Sequence, residues 1–361
     1  MNNYSILSHS LYHIDIEKES IELDNLEKGK AEEYVKSIIQ KSLYAKNIRY
    51  YKIKRETTEV VGLVSALIKE FATRVDSDVA ATVEEEGSEN EIDSISGLIA
   101  ERLLNEEIKT QEKILRMNRE IRKGSVIQSI LRNDEGKEYF YIIAKVEHVN
   151  ILDKKDWQEH TGLPLEKEIL KTCVISYDEN CNINEIKIYD TNSSISKYWY
   201  DDFLELEPFT TDEDNTKKSF KEIDKILYNN IKRKSPTDYN LLRNSLIGYY
   251  NQNKKFDFDD LKGKVFKNYK PQNTEDVDIE KVIRKLENVI GKERFDKQFE
   301  IVPEAIRKNK IKIYKIHEDI DLTIKDNIDN LSDVIKADKT IDEFYLRILI
   351  DEKTYNEFNY K

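Results

Sequence analysis

The chain has 361 residues, with 59 Lys and Arg against 71 Asp and Glu and a formal net charge of −12. Hydrophobic residues make up 39% and aromatic residues 10%, beside only 10 Gly and 5 Pro; this excludes a chain too apolar-poor to fold and argues against long flexible linkers. No segment approaches the about 18 consecutive apolar residues of a membrane span, and the polar N-terminus lacks a basic stretch leading into an apolar one, so a cytoplasmic protein is expected.

In chain order, residues 4–16 and 21–24 read as a hairpin. Leu26 to Leu43 then places Tyr34, Val35, Ile38, Ile39 and Leu43 on one helical stripe. Residues 48–54 alternate as a strand. Thr57 is placed to cap a helix carrying Val60, Val61, Val64, Leu67, Ile68 and Phe71. Glu84 to Glu91 reads as an acidic loop, and a long helix is expected from about Ile92 to Arg122, ended by Gly124.

Strands are expected at 125–131, 138–149, 171–178 and 183–190, with Asn133 to Lys137 as a turn and 150–166 as a loop or short helix. With no long helices between these strands, the sheet is expected to be antiparallel. The polar stretch Glu205 to Asn215 reads as a domain boundary, giving domains 1–207 and 208–361. Helices follow at about 215–232, 237–252, 257–268 and 276–291, and strands return at 311–316, 320–325 and 343–350. The order predicts an α+β fold: an antiparallel sheet with helices, then a mainly helical half closing with short strands.

Cys173 and Cys181 fall on a strand and in the following turn, too far apart for an easy disulfide within that hairpin. Free thiols in a reducing compartment are expected. Trp157 and Trp199 read as core or domain-junction anchors ahead of base-stacking platforms.

The hairpin Thr172 to Asp178 and Ile183 to Tyr189, followed by Ser196-Lys197-Tyr198-Trp199 and Phe203-Leu204, resembles a segment of the bacterial nucleoid-associated protein family named for its thirty-seven-kilodalton member. So do the opening Ile6 to Ile14 and the closing Ile320 to Ile324 and Phe344 to Ile350. Glu205 stands where that family often has Gly. The resemblance implies association with double-stranded DNA in the nucleoid, implicates Lys197, and names no chemistry.

A negative total charge does not by itself decide the matter. Contact affinity depends on cations within a Debye length, about 8–10 Å in physiological salt. Local runs occur at Lys46 to Arg55, Arg116 to Lys123, Lys232 to Lys234, Lys262 to Lys270 and Arg307 to Lys312. Arg116, Arg119, Arg122 and Lys123 have the spacing of one helical face. Lys232, Arg233 and Lys234 precede Ser235-Pro236 at a helix junction, with Tyr239 and Arg243 one and two turns into the next helix. Such rows can track phosphates; a solvated face is the competing explanation.

The strongest enzymatic reading is a magnesium-dependent nuclease, with a phage-defence role in view, using Asp178 and Glu185 as ligands and Lys187 to activate water. Glu185 and Lys187 share a strand face, and a surface cross-strand ion pair is the favoured explanation of them. His9 and His13 lie about 13 Å apart on one strand, too far to share a metal. No glycine-rich phosphate loop exists.

The leading expectation is therefore a non-enzymatic, sequence-tolerant binder of double-stranded DNA without cofactor. Its contacts are expected at Lys232, Arg233, Lys234 and Arg243, then at Arg116, Arg119, Arg122 and Lys123, with Lys197 added by the resemblance. The acidic stretches allow a protein partner as the alternative, and a homo-oligomer is compatible with either.

Overall fold

The computed structural model describes residues 4–24, 26, 29–45, 47–56, 58–76, 86–115, 120–133, 135, 137–152, 154, 157–166, 170–192, 195–289 and 295–360. The fold is α+β. The chain divides into two compact units, Met1–Thr210 and Thr211–Lys361.

The first unit is built on an eight-stranded antiparallel sheet. Its strands are β1 (Tyr4–Asp15), β2 (Ser20–Leu23), β3 (Arg49–Ile53), β4 (Gly124–Asn133), β5 (Glu138–Glu147), β8 (Leu170–Tyr177), β9 (Ile183–Asp190) and β10 (Leu206–Pro208), in the order β10-β3-β9-β8-β5-β4-β1-β2. Helix α1 (Lys30–Leu43) covers one face; α2 (Glu59–Asp76) and α3 (Glu86–Leu115) cover the other.

Both faces of the central strands are buried, and the sequence shows how. In β5, Tyr139, Tyr141 and Ile143 pack toward α2 and α3, while Ile142, Ala144 and Val146 pack toward Val35, Ile38 and Ile39 of α1. Strand period 2 sends neighbours to opposite cores, so the strand reads as a continuous apolar run. Truncating a fully buried position such as Ile142→Ala costs about 2–5 kcal/mol. Gly124 opens β4 because a Cβ there would lie 2.6 Å from the Val146 carbonyl oxygen and 2.9 Å from Lys145 Cε.

Four expectations are corrected in this unit. Helix α3 ends at Leu115, and residues 120–123 are not helical. The acidic stretch is helical from Glu86 onward, since α3 begins there. The segment expected as a loop or short helix contains a small hairpin, β6 (Val149–Leu152) with β7 (Glu159–Gly162). Thr57, the expected cap of α2, lies outside the described residues. Trp199 and Phe203 lie in a π-helical turn, Tyr198–Phe203, and are wholly buried in the core. Trp157, by contrast, is 73% exposed with a φ of 58°, so it anchors no core. Cys173 and Cys181 are both buried, and neither forms a disulfide.

The second unit begins with α4 (Asp212–Leu227). The Thr211 hydroxyl accepts from the Asp214 N–H, and Asp212, Glu213 and Asp214 in the first turn complement the helix dipole. A π turn, Tyr228–Lys232, leads to α5 (Pro236–Gln252), where Ser235 caps and Pro236 starts the helix. Strand β11 (Lys255–Asp257) pairs with β12 (Gln298–Glu300); between them lie α6 (Phe258–Leu261), a π turn at Lys262–Lys267 and α7 (Ile279–Val289). Phe256 and Phe299 stack at 4.5 Å in the aromatic core they share with Phe220, Tyr250 and Phe295.

After α8 (Arg307–Lys310) come two hairpins, β13 (Lys312–His317) with β14 (Ile320–Ile324), and β15 (Ile335–Lys339) with β16 (Phe344–Ile348), the latter preceded by α9 (Leu331–Val334) and followed by α10 (Glu352–Phe358).

Candidate nucleic-acid interface

The π turn after α4 delivers Lys232 to the faces of two tyrosines. Its ammonium lies 4.4 Å from the Tyr228 ring centre and 5.8 Å from that of Tyr239. The two rings meet edge to face at 5.8 Å. From the other side, alternation in β13 turns Lys312 and Tyr314 toward α5. The Lys312 ammonium sits 4.4 Å over Tyr239 and donates to Asn240 Oδ1 at 2.7 Å, while the Tyr314 hydroxyl donates to the same oxygen at 3.0 Å. Two ammonium groups thus approach the Tyr239 ring. Cation–π contacts of this kind contribute about 0.5–2 kcal/mol each, according to how far they are desolvated.

Beneath this layer, Arg243 and Asp224 form the support. The Tyr239 hydroxyl donates to Asp224 Oδ1 at 3.0 Å, and Arg243 Nε lies 3.3 Å from the same carboxylate. The remaining guanidinium nitrogens donate to the carbonyls of Asn309 and Lys310, which tie α8 to α5.

The electrostatic result is a local excess of positive charge. Lys232, Arg233 and Lys312 form no ion pair with a carboxylate among the described residues; Asp224, which pairs with Arg243, also acts on Lys312 at longer range. Burial, with the positive fields of Arg243 and Lys232, pushes the Lys312 ammonium down to about 8.

Arg243, expected among the phosphate contacts, is corrected to a buried support, 8% exposed with its donors engaged. Arg233 and Lys234 are exposed beside the cluster, and Lys234 donates to the Asp276 carbonyl at 3.0 Å. Lys312 was visible in the sequence only as the end of a separate charge run. The alternation Lys312-Ile313-Tyr314 was the available sign that it shares a face with an aromatic ring.

The cations expected in the first unit are placed differently. Arg116 and Arg119 lie outside the described residues. Because α3 has ended, Arg122 and Lys123 do not continue a helical row. Lys123 Nζ is 2.8 Å from Glu17, and Arg122 lies 3.5 Å from Glu147. Lys197 is exposed and 3.6 Å from Asp201, four residues on.

Arg122 and Lys123 line a cavity of about 830 Å³, with Ile16, Gln111 and His148 among its other walls. Behind it runs a chain of hydrogen bonds: Asp24 to His13 at 3.1 Å, His13 to Ser125 at 2.7 Å, and Ser125 to His148 at 2.7 Å. Burial foremost, then His13, Lys145 and Lys123, push His148 down to about 4, so it is neutral at pH 7. The composition resembles a nucleophilic triad, but Ser125 is wholly buried. Pairing of β1 with β4 brings His13 and Ser125 together, which sequence spacing could not reveal.

The residues of the nuclease reading have local partners. Asp178 accepts from the N–H groups of Asn180 and Asn182 and closes the hairpin turn, while Glu185 pairs with Lys187 at 2.5 Å. Among the described residues, no group of three or more His, Cys, Asp or Glu is arranged to hold a metal ion. Nor is any helix among them long and apolar enough to cross a membrane.

In comparisons with known proteins, no family model matches the chain and no curated protein matches it in sequence.

Proposed function

We propose that the chain binds double-stranded DNA with little sequence preference, as a nucleoid-associated protein, through the basic and aromatic cluster of its second unit. The observation that carries this reading is the pair of ammonium groups, Lys232 and Lys312, on the ring of Tyr239, which form no ion pair with a carboxylate among the described residues. Polyanion phosphates supply the missing countercharge, and release of condensed counterions drives the association. Arg233, exposed beside Lys232, adds a third contact. Phosphate contacts of this kind position a protein without reading sequence.

The resemblance of the element order to the nucleoid-associated family supports the same reading. The overall charge of −12 does not oppose it at contact range, since charges beyond about 8–10 Å are screened in physiological salt. It does favour one orientation of approach, with the acidic surfaces turned from the duplex.

Fluorescence anisotropy of a labelled duplex, titrated across a salt series, tests the proposal. Binding that weakens steeply with salt and varies little between duplex sequences is expected. No binding at low salt would overturn it.

A further inference from the structure

Asn240 follows Tyr239 on α5 and is half-buried. Its carboxamide is fixed from one side. An ammonium group can only donate, so the atom that faces Lys312 Nζ at 2.7 Å must be the carbonyl oxygen Oδ1. The Tyr314 hydroxyl donates to the same oxygen at 3.0 Å, so both of its lone pairs are engaged. The amide nitrogen Nδ2 carries two N–H donors and has no hydrogen-bond partner among the described residues.

The two lysines repeat the pattern. Lys232 is half-buried against the rings of Tyr228 and Tyr239 and makes no hydrogen bond among the described residues. Lys312, also half-buried, gives one hydrogen bond, to Asn240, and keeps its other N–H groups. The Asp224 carboxylate takes the Tyr239 hydroxyl and Arg243. Three side chains around one ring therefore hold spare donors, two of them charged.

Spare donors with positive charge call for an anion rich in acceptors. The donors come singly from three elements, the π turn, α5 and β13. Lysines take phosphate in this way, as point charges, whereas a carboxylate is best matched by the planar fork of an arginine. The one arginine of the cluster that packs against these groups, Arg243, is turned to Asp224 and to backbone carbonyls.

We propose that the Asn240 amide is a direct phosphate contact, which with Lys232 and Lys312 forms a seat for one phosphate group. The inference rests on the DNA reading for what carries that phosphate; the seat itself is tested without DNA.

Nitrogen-15 spectra of the full chain, with the Asn240 side-chain signals assigned by their loss in Asn240→Asp, should be recorded at pH 7 against inorganic phosphate, and against chloride and acetate at matched ionic strength. Saturable movement of the Asn240 amide with phosphate alone is expected. No movement with phosphate, or equal movement with chloride or acetate, would overturn the seat.

Duplex titrations then separate contact from positioning. In a Lys312→Gln background, Asn240→Ala should weaken binding by about tenfold with the salt slope unchanged, because a neutral donor displaces no counterion. If the second substitution costs nothing, Asn240 acts only by holding Lys312, and the proposal falls. A wild type whose Asn240 amide answers to phosphate but which binds no duplex would support the seat and overturn the DNA reading instead.

Discussion

Two sets of cations, one in each unit, are held in opposite ways. In the first, Lys145 is buried against Glu107, Lys171 lies 2.7 Å from Glu147, and Lys123 lies 2.8 Å from Glu17. In the second, Lys232 and Lys312 meet tyrosine rings instead and form no ion pair with a carboxylate among the described residues. Charge runs look alike in a sequence; the partner decides whether a cation closes a fold or awaits an anion. An ion pair satisfies a cation, whereas an aromatic ring holds it in place and leaves most of its field intact.

Removing one side of the buried pair should show the largest effect. Lys145→Met leaves the Glu107 carboxylate buried without its cation and should lower stability by about 3–5 kcal/mol, read from the urea midpoint. A loss below about 1 kcal/mol would mean that the pair is not what holds α3 to β5.

Next comes Arg243. Arg243→Met deprives Asp224 and two backbone carbonyls of a charged donor, at a cost of about 1.5–3 kcal/mol in thermal or urea unfolding. If this variant instead lost DNA affinity at full stability, Arg243 would belong to the contact layer and not beneath it.

Titration of Lys312 gives the smallest effect. Its ammonium is held at about 8, against an ordinary 10.5, so the folded chain sheds this proton first. Stability should therefore rise modestly between about pH 8 and 10.5, where the unfolded chain still holds the proton. Bound phosphate favours the protonated form, so DNA affinity should fall as pH rises through about 8 to 9. The Lys312→Gln variant should lose that dependence; an identical pH profile in both would contradict the placement of Lys312 at the interface.

Much of the fold was legible in the sequence. The central strands read as short apolar runs bounded by turn residues, and Ser235-Pro236 announces the start of α5, because strand composition, turns and capping chemistry are local. Strand β15 was not legible, since Ile335-Lys-Ala-Asp-Lys339 alternates only weakly and its partner β16 supplies the pattern. The early end of α3 was hidden because basic residues at helical spacing continue past Leu115. Of the candidate interface, the sequence pointed to Lys232, Tyr239 and the surrounding run. It could not bring in Lys312, which lies far along the chain and reaches Tyr239 only through the packing of β13 on α5. It also misassigned Arg243, because spacing along a helix does not say which face is inward when polar partners wait in the core.

The comparison between the units rests most directly on how two pairs of cations contribute to the salt dependence of DNA binding. Anisotropy titrations across a salt series should be run for wild type, for Lys232→Gln/Lys312→Gln and for Arg122→Gln/Lys123→Gln. The account predicts that the second-unit pair lowers the slope of log affinity against log salt by about 1 for each lysine removed, while the first-unit pair leaves it unchanged. Loss of slope in the first-unit variant, with the Lys232 and Lys312 variant matching wild type, would contradict it.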